Sequence, residues 1–196
     1  HFFVQDGACV ISALALDPKG GDKVIDVCSC PGGKSFITAI LMGGEGEIHS
    51  FDLHESKLSL IDDGAKRLGL TNITSDLCDA LYPRRELFGS FDKVICDVPC
   101  SGLGIIGRKP EIKYKNPDEV KSLPALQLEI LQNGAKYVKK GGRLIYSTCT
   151  IDVLENDGVV DSFLQSHSEF AEADIKGLLH KRRLEQLRRK ENRDAR

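Results

Sequence analysis

The stretch VIDVCSCPGGKS, residues 24–35, constrains the fold of this chain more than any other part of its sequence. Its first four residues form a short apolar, β-branched run that is typical of a buried parallel strand. Gly32 and Gly33 then break the strand and allow backbone N–H groups to come close to a ligand. From Lys34 onward the sequence predicts a helix, which the glycine pair at 43–44 ends. A strand, a glycine turn and a helix N-terminus together predict a nucleotide-type site at the carboxyl end of a sheet.

Three ligand classes compete for this turn. A dinucleotide fingerprint requires the spacing G-x-G-x-x-G, which the stretch lacks. A phosphate loop is nearly matched, because the stretch ends in Gly-Lys-Ser, but its first glycine is replaced by Cys28 and Pro31 removes one backbone donor. An adenosine ligand without a polyphosphate remains, and S-adenosylmethionine is the commonest of these. An ordinary strand-to-helix turn stays open as an alternative, because short motifs often match by chance.

The rest of the chain alternates between predicted strands and predicted helices. After the first strand, the sequence predicts strands at residues 47–52, 72–76, 91–97 and 143–147. Helical patterns occur at residues 8–16, 57–68, 119–139 and 153–165, and Gly141 and Gly142 are expected to end the third of these. This alternation predicts an α/β fold with a doubly wound, mostly parallel sheet, in which ligands bind beyond the carboxyl ends of the strands.

Composition limits the class of protein. A chain of 196 residues with 41% hydrophobic residues suits one globular domain. No apolar run approaches the roughly 20 residues that span a bilayer, so we expect no membrane segment. The seven scattered cysteines favour a reducing compartment and a cytoplasmic location over a disulfide framework. The chain opens with His1 and not with Met, which predicts that it is a fragment of a longer protein.

The charge of the chain is unevenly distributed. Residues 180–196 contain eight Lys or Arg and three Asp or Glu, although the whole chain has a net charge of −2. Bulk charge therefore does not indicate nucleic-acid binding, and any such binding must use local patches.

Acidic residues follow two of the predicted strands. Asp52 ends the second strand, 19 positions after Gly33, which suits hydrogen bonding to ribose hydroxyls. A solvated turn residue is the alternative role for Asp52. Asp79 lies beyond the third strand, where an adenine amino group could bind, and Asp76 competes with it for this role.

Two cysteines lie in loops after the fourth and fifth strands. Cys100 belongs to the sequence Asp-Val-Pro-Cys-Ser-Gly, and Cys149 to Ser-Thr-Cys-Thr. Because the two strands are expected to be neighbours, we expect both thiols to face one pocket, with two small core cysteines as the alternative. A metal site is not expected, because the gap between Cys28 and Cys30 is too short for zinc ligands and no second pair matches it.

Three motifs occur in order and carry a resemblance. They are residues 24–35, residues 97–114 and residues 141–151, with Glu155 and Asn156 just after the last. Together they resemble the NOL1/NOP2/Sun family of RNA cytosine-5 methyltransferases, in particular its bacterial Sun-type 16S ribosomal RNA enzymes.

The resemblance covers residues 2–165 and implies a Rossmann-like, S-adenosylmethionine-dependent methyltransferase sheet. The family's closing strands are not evident, so this sheet is expected to lack its last strands. We therefore expect a catalytic domain over residues 1–170 and a basic helical or disordered tail over residues 171–196. The resemblance also implies an upstream RNA-binding domain, which we expect to lie outside this sequence.

The resemblance also implies roles for individual residues. Cys149 matches the catalytic nucleophile, Cys100 the second cysteine that assists product release, and Asp97 an acid that holds N3 of the base. The implied cofactor-binding residues are Cys28, Ser29, Cys30, Pro31, Gly32, Gly33, Lys34, Asp52, Asp79 and Asp97. Beside the pocket, Arg108, Lys109, Lys113 and Lys115 are predicted to contact RNA phosphate, although such runs are often only a solvated face.

These expectations define a reaction. A methyl group would pass from S-adenosylmethionine to carbon 5 of cytosine in RNA, with ribosomal RNA the expected substrate, through a covalent cysteine adduct. Two alternatives stay open, a cofactor-binding and RNA-binding module without turnover and a phosphate-loop nucleotidase. The sequence does not specify the target nucleotide or an oligomeric state.

Overall fold

The computed structural model describes residues 3–180, which form an α/β fold around one five-stranded sheet. The strands are β1 Lys23–Asp26, β2 Glu47–Asp52, β3 Ile73–Leu77, β4 Phe91–Asp97 and β5 Val138–Ser147. The helices are α1 Gly7–Leu16, α2 Gly33–Leu41, α3 Glu55–Leu68, α4 Pro117–Ala135 and α5 Asp157–Ser166. The predicted α/β fold with a mostly parallel sheet is confirmed.

The strand order places the ligand crevice. The order is β3-β2-β1-β4-β5, and every neighbouring pair is parallel. The chain winds outward from β1 to β3 and then returns to the other side of β1 with β4. Parallel sheets bind ligands beyond the carboxyl ends of the strands where the winding reverses, which here is between β1 and β4.

The central strands are buried on both faces. Val24 and Ile25 of β1 are fully buried, which explains the continuous apolar run in the sequence. In β4, Val94 and Cys96 belong to the core cluster formed with α4 and α5, whereas Ile95 packs on the opposite face with residues of α1 and α2. Because β1 and β4 are packed on both faces, the positions of their carboxyl ends are fixed, and the loops that follow start from fixed points.

A glycine brings α4 close to the sheet. A Cβ atom at Gly134 would collide with the Sγ atom of Cys96, which is fully buried in β4. The absence of a side chain therefore allows the helix to pack directly against the strand that leads to Cys100.

The prediction was wrong about the end of α4. The helix was expected to reach Lys139 and to end at Gly141 and Gly142, but it ends at Ala135 and both glycines lie within β5. Tyr137 is buried against Phe91 and draws the chain into the sheet. The pairing with β4 is irregular between Phe91 and Lys93. Gly141 has a φ of 78°, which occurs at a bulge as readily as at a helix end, so the glycines alone do not mark the end of the helix.

The start of α5 was also predicted too early. The pattern indicated a helix from Val153, but α5 begins at Asp157. The Asn156 side chain instead donates hydrogen bonds to the carbonyls of Thr150 and Asp152, which holds the preceding residues in a loop.

The described part of the chain ends in a short helix. Residues 175–180 are helical, and the rest of the predicted tail, residues 181–196, lies outside the described residues. Within residues 3–180, β5 has a neighbouring strand on one side only. In that same part of the chain, no helix combines the length and apolar character needed to cross a membrane.

Candidate active site

The glycine turn after β1 is shaped by close contacts. Gly32 has a φ of 97°, a conformation that side chains disfavour, and a Cβ atom there would collide with the ring of Phe36. A Cβ atom at Gly33 would lie 2.6 Å from Nε2 of Gln5. Gly32 is thus required by the local packing, independently of any ligand, whereas the flexible end of Gln5 could move away from a side chain at position 33.

The other residues of this loop divide into buried and exposed positions. Cys28 packs against the main core, and burial raises its pKa well above the usual value. Ser29 is buried and shares a hydrogen bond of 3.0 Å with Ser35. Cys30 is half-buried and Pro31 is exposed. The side chains of Cys28 and Ser29 therefore support the loop from below, and a ligand above the loop would meet mainly its backbone.

Asp52 ties the second strand to this loop. One carboxylate oxygen accepts the N–H of Cys30 at 3.1 Å, and the other accepts the N–H of His54 at 3.0 Å. Each oxygen of Asp52 retains a lone pair for a further donor.

The two acids near the end of β3 have different partners. Asp79 is half-buried and accepts the N–H of Leu81 at 2.9 Å. Asp76, the other candidate for the adenine amino group, lies 3.8 Å from the guanidinium of Arg84.

An ion pair connects the glycine turn to the end of β4. The Nζ atom of Lys34 lies 2.6 Å from Oδ2 of Asp97, and Ser147 at the end of β5 donates to Oδ1 of Asp97 at 2.8 Å. Burial disfavours the charged form of Lys34, but the attraction of Asp97 outweighs it and the pKa of Lys34 is raised. Lys34, predicted as a cofactor residue, thus contacts the acid predicted to hold the base.

The two predicted thiols are in contact. The Sγ atoms of Cys100 and Cys149 lie 3.1 Å apart, and the N–H of Cys149 points to Sγ of Cys100 at 3.3 Å. The hydrogen bond from Cys100 lowers the pKa of Cys149 to about 6, and the same contact raises the pKa of Cys100. Cys149 is exposed, so the pair presents a thiolate to solvent near neutral pH.

The backbone around the thiols is held from two sides. Lys115 donates to the carbonyl oxygens of Cys100 and Ser101 at 3.1 and 2.9 Å, and its charge also favours the Cys149 thiolate. The N–H of Gly104 donates to the carbonyl of Cys149 at 3.1 Å, and a Cβ atom at Gly104 would lie 2.9 Å from that oxygen.

The predicted RNA-contacting residues lie on the segment after Cys100. Arg108, Lys109 and Lys113 are exposed, near two short 3-10 helices. Arg108 forms an ion pair with Asp6, the N-cap residue of α1. Lys109 and Lys113 form no ion pair with another described residue.

Sequence reasoning missed two buried acids. Asp26 is buried in β1 beneath the turn, where it accepts a hydrogen bond from Ser35 at 2.8 Å, and burial raises its pKa to about 7. An acid inside the apolar run of β1 was the available signal. Glu155 is fully buried beside the Cys100 loop, and only its place next to the third motif marked it. Among residues 3–180, no group of three or more potential ligand side chains is placed to hold a metal ion.

Several known proteins are similar to this chain in sequence and in fold. The probable ribosomal RNA small subunit methyltransferase B of Bacillus subtilis (strain 168) is 46% identical over 197 residues, covering 96% of this chain and 43% of that protein. The 28S rRNA (cytosine-C(5))-methyltransferase of Mus musculus is 34% identical over 174 residues, covering 86% of this chain and 22% of that protein. The crystal structure of NSun6 from Pyrococcus horikoshii with SFG superimposes with a TM-score of 0.75 at 31% identity, covering 84% of this chain and 42% of that one.

The chain spans less than half the length of each of these proteins. A protein-family model described as 16S rRNA methyltransferase RsmB/F matches residues 13–191. The chain therefore belongs to the 16S rRNA methyltransferase RsmB/F family.

Proposed function

We propose that this chain is the catalytic part of an enzyme that transfers a methyl group from S-adenosylmethionine to carbon 5 of a cytosine in ribosomal RNA. The observation that carries the proposal is the contact of 3.1 Å between the sulfurs of Cys100 and Cys149 at the carboxyl ends of β4 and β5. The ion pair of Lys34 and Asp97 joins this end of the sheet to the glycine turn. The names of the Bacillus and mouse relatives support the RNA substrate and the position of the methyl group.

The cofactor residues in this proposal are the backbone of the loop at residues 28–34 and two acids. Asp52 is fixed by the loop itself and has oxygen lone pairs for ribose hydroxyls, and Asp79 is the candidate for the adenine amino group. NSun6, whose fold is similar, was solved with SFG, an S-adenosylmethionine analogue. When bound, S-adenosylmethionine supplies an electrophilic methyl group.

The first chemical step uses the thiolate. Carbon 5 of cytosine is a poor nucleophile while the ring is aromatic. Addition of the Cys149 thiolate to carbon 6 breaks the aromaticity and makes carbon 5 enamine-like. Negative charge develops at N3 in this step, and a proton passes to N3 from the Lys34 ammonium through the carboxyl group of Asp97. Asp97 then holds N3 by accepting its N–H, and the proton returns when Cys149 departs.

The second cysteine completes the reaction. After carbon 5 is methylated, its proton must leave so that the bond between Cys149 and carbon 6 can break. Once Cys149 carries the base, Cys100 no longer faces a thiolate, and one cause of its raised pKa is removed. Cys100 can then release its own proton to water, and the resulting thiolate accepts the carbon-5 proton while Cys149 departs as a thiolate, which restores the starting pair.

The target base must leave its stack to reach these residues, which favours a loop or bulge in RNA. Lys109 and Lys113 are exposed on the segment after Cys100 and are the candidates for phosphate contacts, with Arg108 available if its ion pair with Asp6 opens.

A ribosomal RNA substrate and a reactive thiol pair favour a cytoplasmic location.

The nucleotidase alternative has less support. In a phosphate loop the lysine reaches the phosphates and the serine hydroxyl binds Mg²⁺. Here Lys34 is paired with Asp97, and the Ser35 hydroxyl is buried and donates to Asp26. Both side chains are therefore bonded to protein acids and are not placed to bind a phosphate or Mg²⁺.

The test is methyl transfer from labelled S-adenosylmethionine to ribosomal RNA, followed by mapping of the methylated cytosines. Incorporation at cytosine carbon 5 by the chain, and its loss in Cys149→Ala, is the expected result. Cofactor binding without incorporation into naked RNA or ribosomal particles would favour a binding module. Binding of ATP in preference to S-adenosylmethionine would favour the nucleotidase.

A further inference from the structure

A buried carboxylate holds the loop that contains Cys100. Glu155 is fully buried, and its Oε2 atom accepts the N–H of Ser101 at 2.9 Å and Nε2 of Gln127 at 2.7 Å. The same Gln127 nitrogen donates to the carbonyl of Pro99 at 2.9 Å. The residues on both sides of Cys100 are therefore tied, directly or through Gln127, to one carboxylate.

The next residue in the chain holds the loop that contains Cys149. Asn156 accepts the hydroxyl of Thr148 at 2.7 Å and donates to the carbonyl of Thr150 at 3.1 Å. These two partners flank Cys149 in the sequence, just as Pro99 and Ser101 flank Cys100.

A hydroxyl pair joins the two loops directly. The Oγ atom of Ser101 and the Oγ1 atom of Thr150 lie 2.7 Å apart, and both residues are buried. Tyr146 adds a hydrogen bond of 2.6 Å to the carbonyl of Glu155. The separation of the two thiols is thus set by a continuous network of buried and half-buried groups, not by the strands alone.

Glu155 is an unusual residue for a purely structural role. Its Oε1 atom is buried and has no hydrogen-bond partner among the described residues. A buried carboxylate with an unsatisfied oxygen costs free energy, and an apolar residue could fill the same space at a lower cost. The residue is better explained by the geometry it imposes on its neighbours than by a contribution to stability.

We propose that Glu155 and Asn156 are positioning residues, each of which fixes one cysteine loop so that the two thiols stay within hydrogen-bonding distance. The role in methyl transfer rests on the proposed function, whereas the geometric role does not. Loss of either residue should separate the sulfurs, so that Cys149 loses the hydrogen bond that stabilises its thiolate. Cys100 would also be displaced from the carbon-5 proton.

The first experiment needs no RNA. Alkylation of Cys149 by iodoacetamide is followed across pH by mass spectrometry in Glu155→Ala, Asn156→Ala and the wild type. We expect the pH of half-maximal rate to rise by one unit or more in both variants. Glu155→Gln should restore it, because the amide oxygen can occupy the Oε2 position and accept both hydrogen bonds.

Two further variants separate positioning from general damage. Asp157→Ala changes the neighbouring exposed acid and should leave the alkylation profile unchanged. In a Cys100→Ala background, Glu155→Ala should produce no additional shift, because the hydrogen bond it protects is already gone. If Glu155→Ala does not fold, Asn156→Ala and Glu155→Gln still test the proposal.

The second experiment uses RNA. Both alanine variants should accumulate a denaturant-resistant protein–RNA adduct, because Cys100 is displaced from the proton it must accept. An alkylation profile that stays unchanged in folded Glu155→Ala and Asn156→Ala would overturn the proposal. If the profile shifts as expected but the wild type transfers no methyl group, the proposed function fails and the positioning role stands.

Discussion

The sulfur atoms of Cys100 and Cys149 lie 3.1 Å apart although 49 positions separate them in the chain. The parallel pairing of β4 and β5 places Asp97 opposite Ser147, and each cysteine follows its strand end by two or three residues. At this distance the pair shares a proton, which stabilises one thiolate and opposes a second.

The first prediction concerns the reactivity of Cys149. Because its pKa is lowered to about 6, the thiolate fraction and the alkylation rate should rise with pH and reach half their maximum near pH 6. Cys100→Ala removes the hydrogen bond, and the midpoint should move toward the ordinary thiol value of about 8.5. Cys30→Ala, which removes a thiol outside the pair, is the control and should not move it. Equal midpoints in Cys100→Ala and the wild type would contradict the shared proton.

The second prediction separates the roles of the two cysteines. Cys149→Ala should abolish methyl transfer and adduct formation while the affinity for S-adenosylmethionine stays near normal, because the nucleophile is lost and the glycine turn is untouched. Cys100→Ala should accumulate a covalent adduct, seen as a retarded band in denaturing gels. An adduct that accumulates in Cys149→Ala instead would show that the roles are exchanged.

Local patterns predicted the strands and the thiol pair, because runs of apolar residues mark the central strands β1 and β4 and parallel strands bring their ends to one edge. The ion pair of Lys34 and Asp97 could not be predicted in this way, since it joins a side chain of α2 to one at the end of β4 and the orientation of both depends on packing. The misplaced end of α4 has a similar cause. Its glycines are compatible with a helix end or a bulge, and the burial of Tyr137 decides between them.

The third prediction concerns the buried acid beneath the glycine turn. Burial raises the pKa of Asp26 from 3.8 to about 7, so the folded state binds a proton that the unfolded state has released between these values. The free energy of unfolding should therefore fall as pH rises through this range, by roughly 2–3 kcal/mol between pH 5 and pH 8.

Asp26→Asn should remove this pH dependence, because the amide is neutral throughout. Urea unfolding of both proteins at the two pH values measures the effect, and the difference between them cancels the other titrating groups. Asp63→Asn, at an exposed position of α3, is the control and should retain the wild-type slope. A parallel decline in Asp26→Asn and the wild type would mean that Asp26 is already charged in the folded protein at pH 5.

The fourth prediction uses the tight contact behind Cys149. A Cβ atom at Gly104 would lie 2.9 Å from the carbonyl oxygen of Cys149, and because this neighbour is backbone, the Cys149 loop must move to accommodate it. A displacement of about 1 Å at a reacting group can lower a rate on the order of 100-fold. Gly104→Ala should therefore reduce methyl transfer by roughly 10- to 100-fold.

Gly107→Ala provides a matched control, because it lies three positions away and a Cβ atom there meets nothing within 4 Å. Its methyl-transfer rate should equal that of the wild type. The thermal midpoints of both variants should stay close to the wild-type value, since the segment is largely exposed and contributes little to the core. Equal rates in Gly104→Ala and Gly107→Ala would mean that the position of Cys149 tolerates this displacement, and the close contact would then have no role in the reaction.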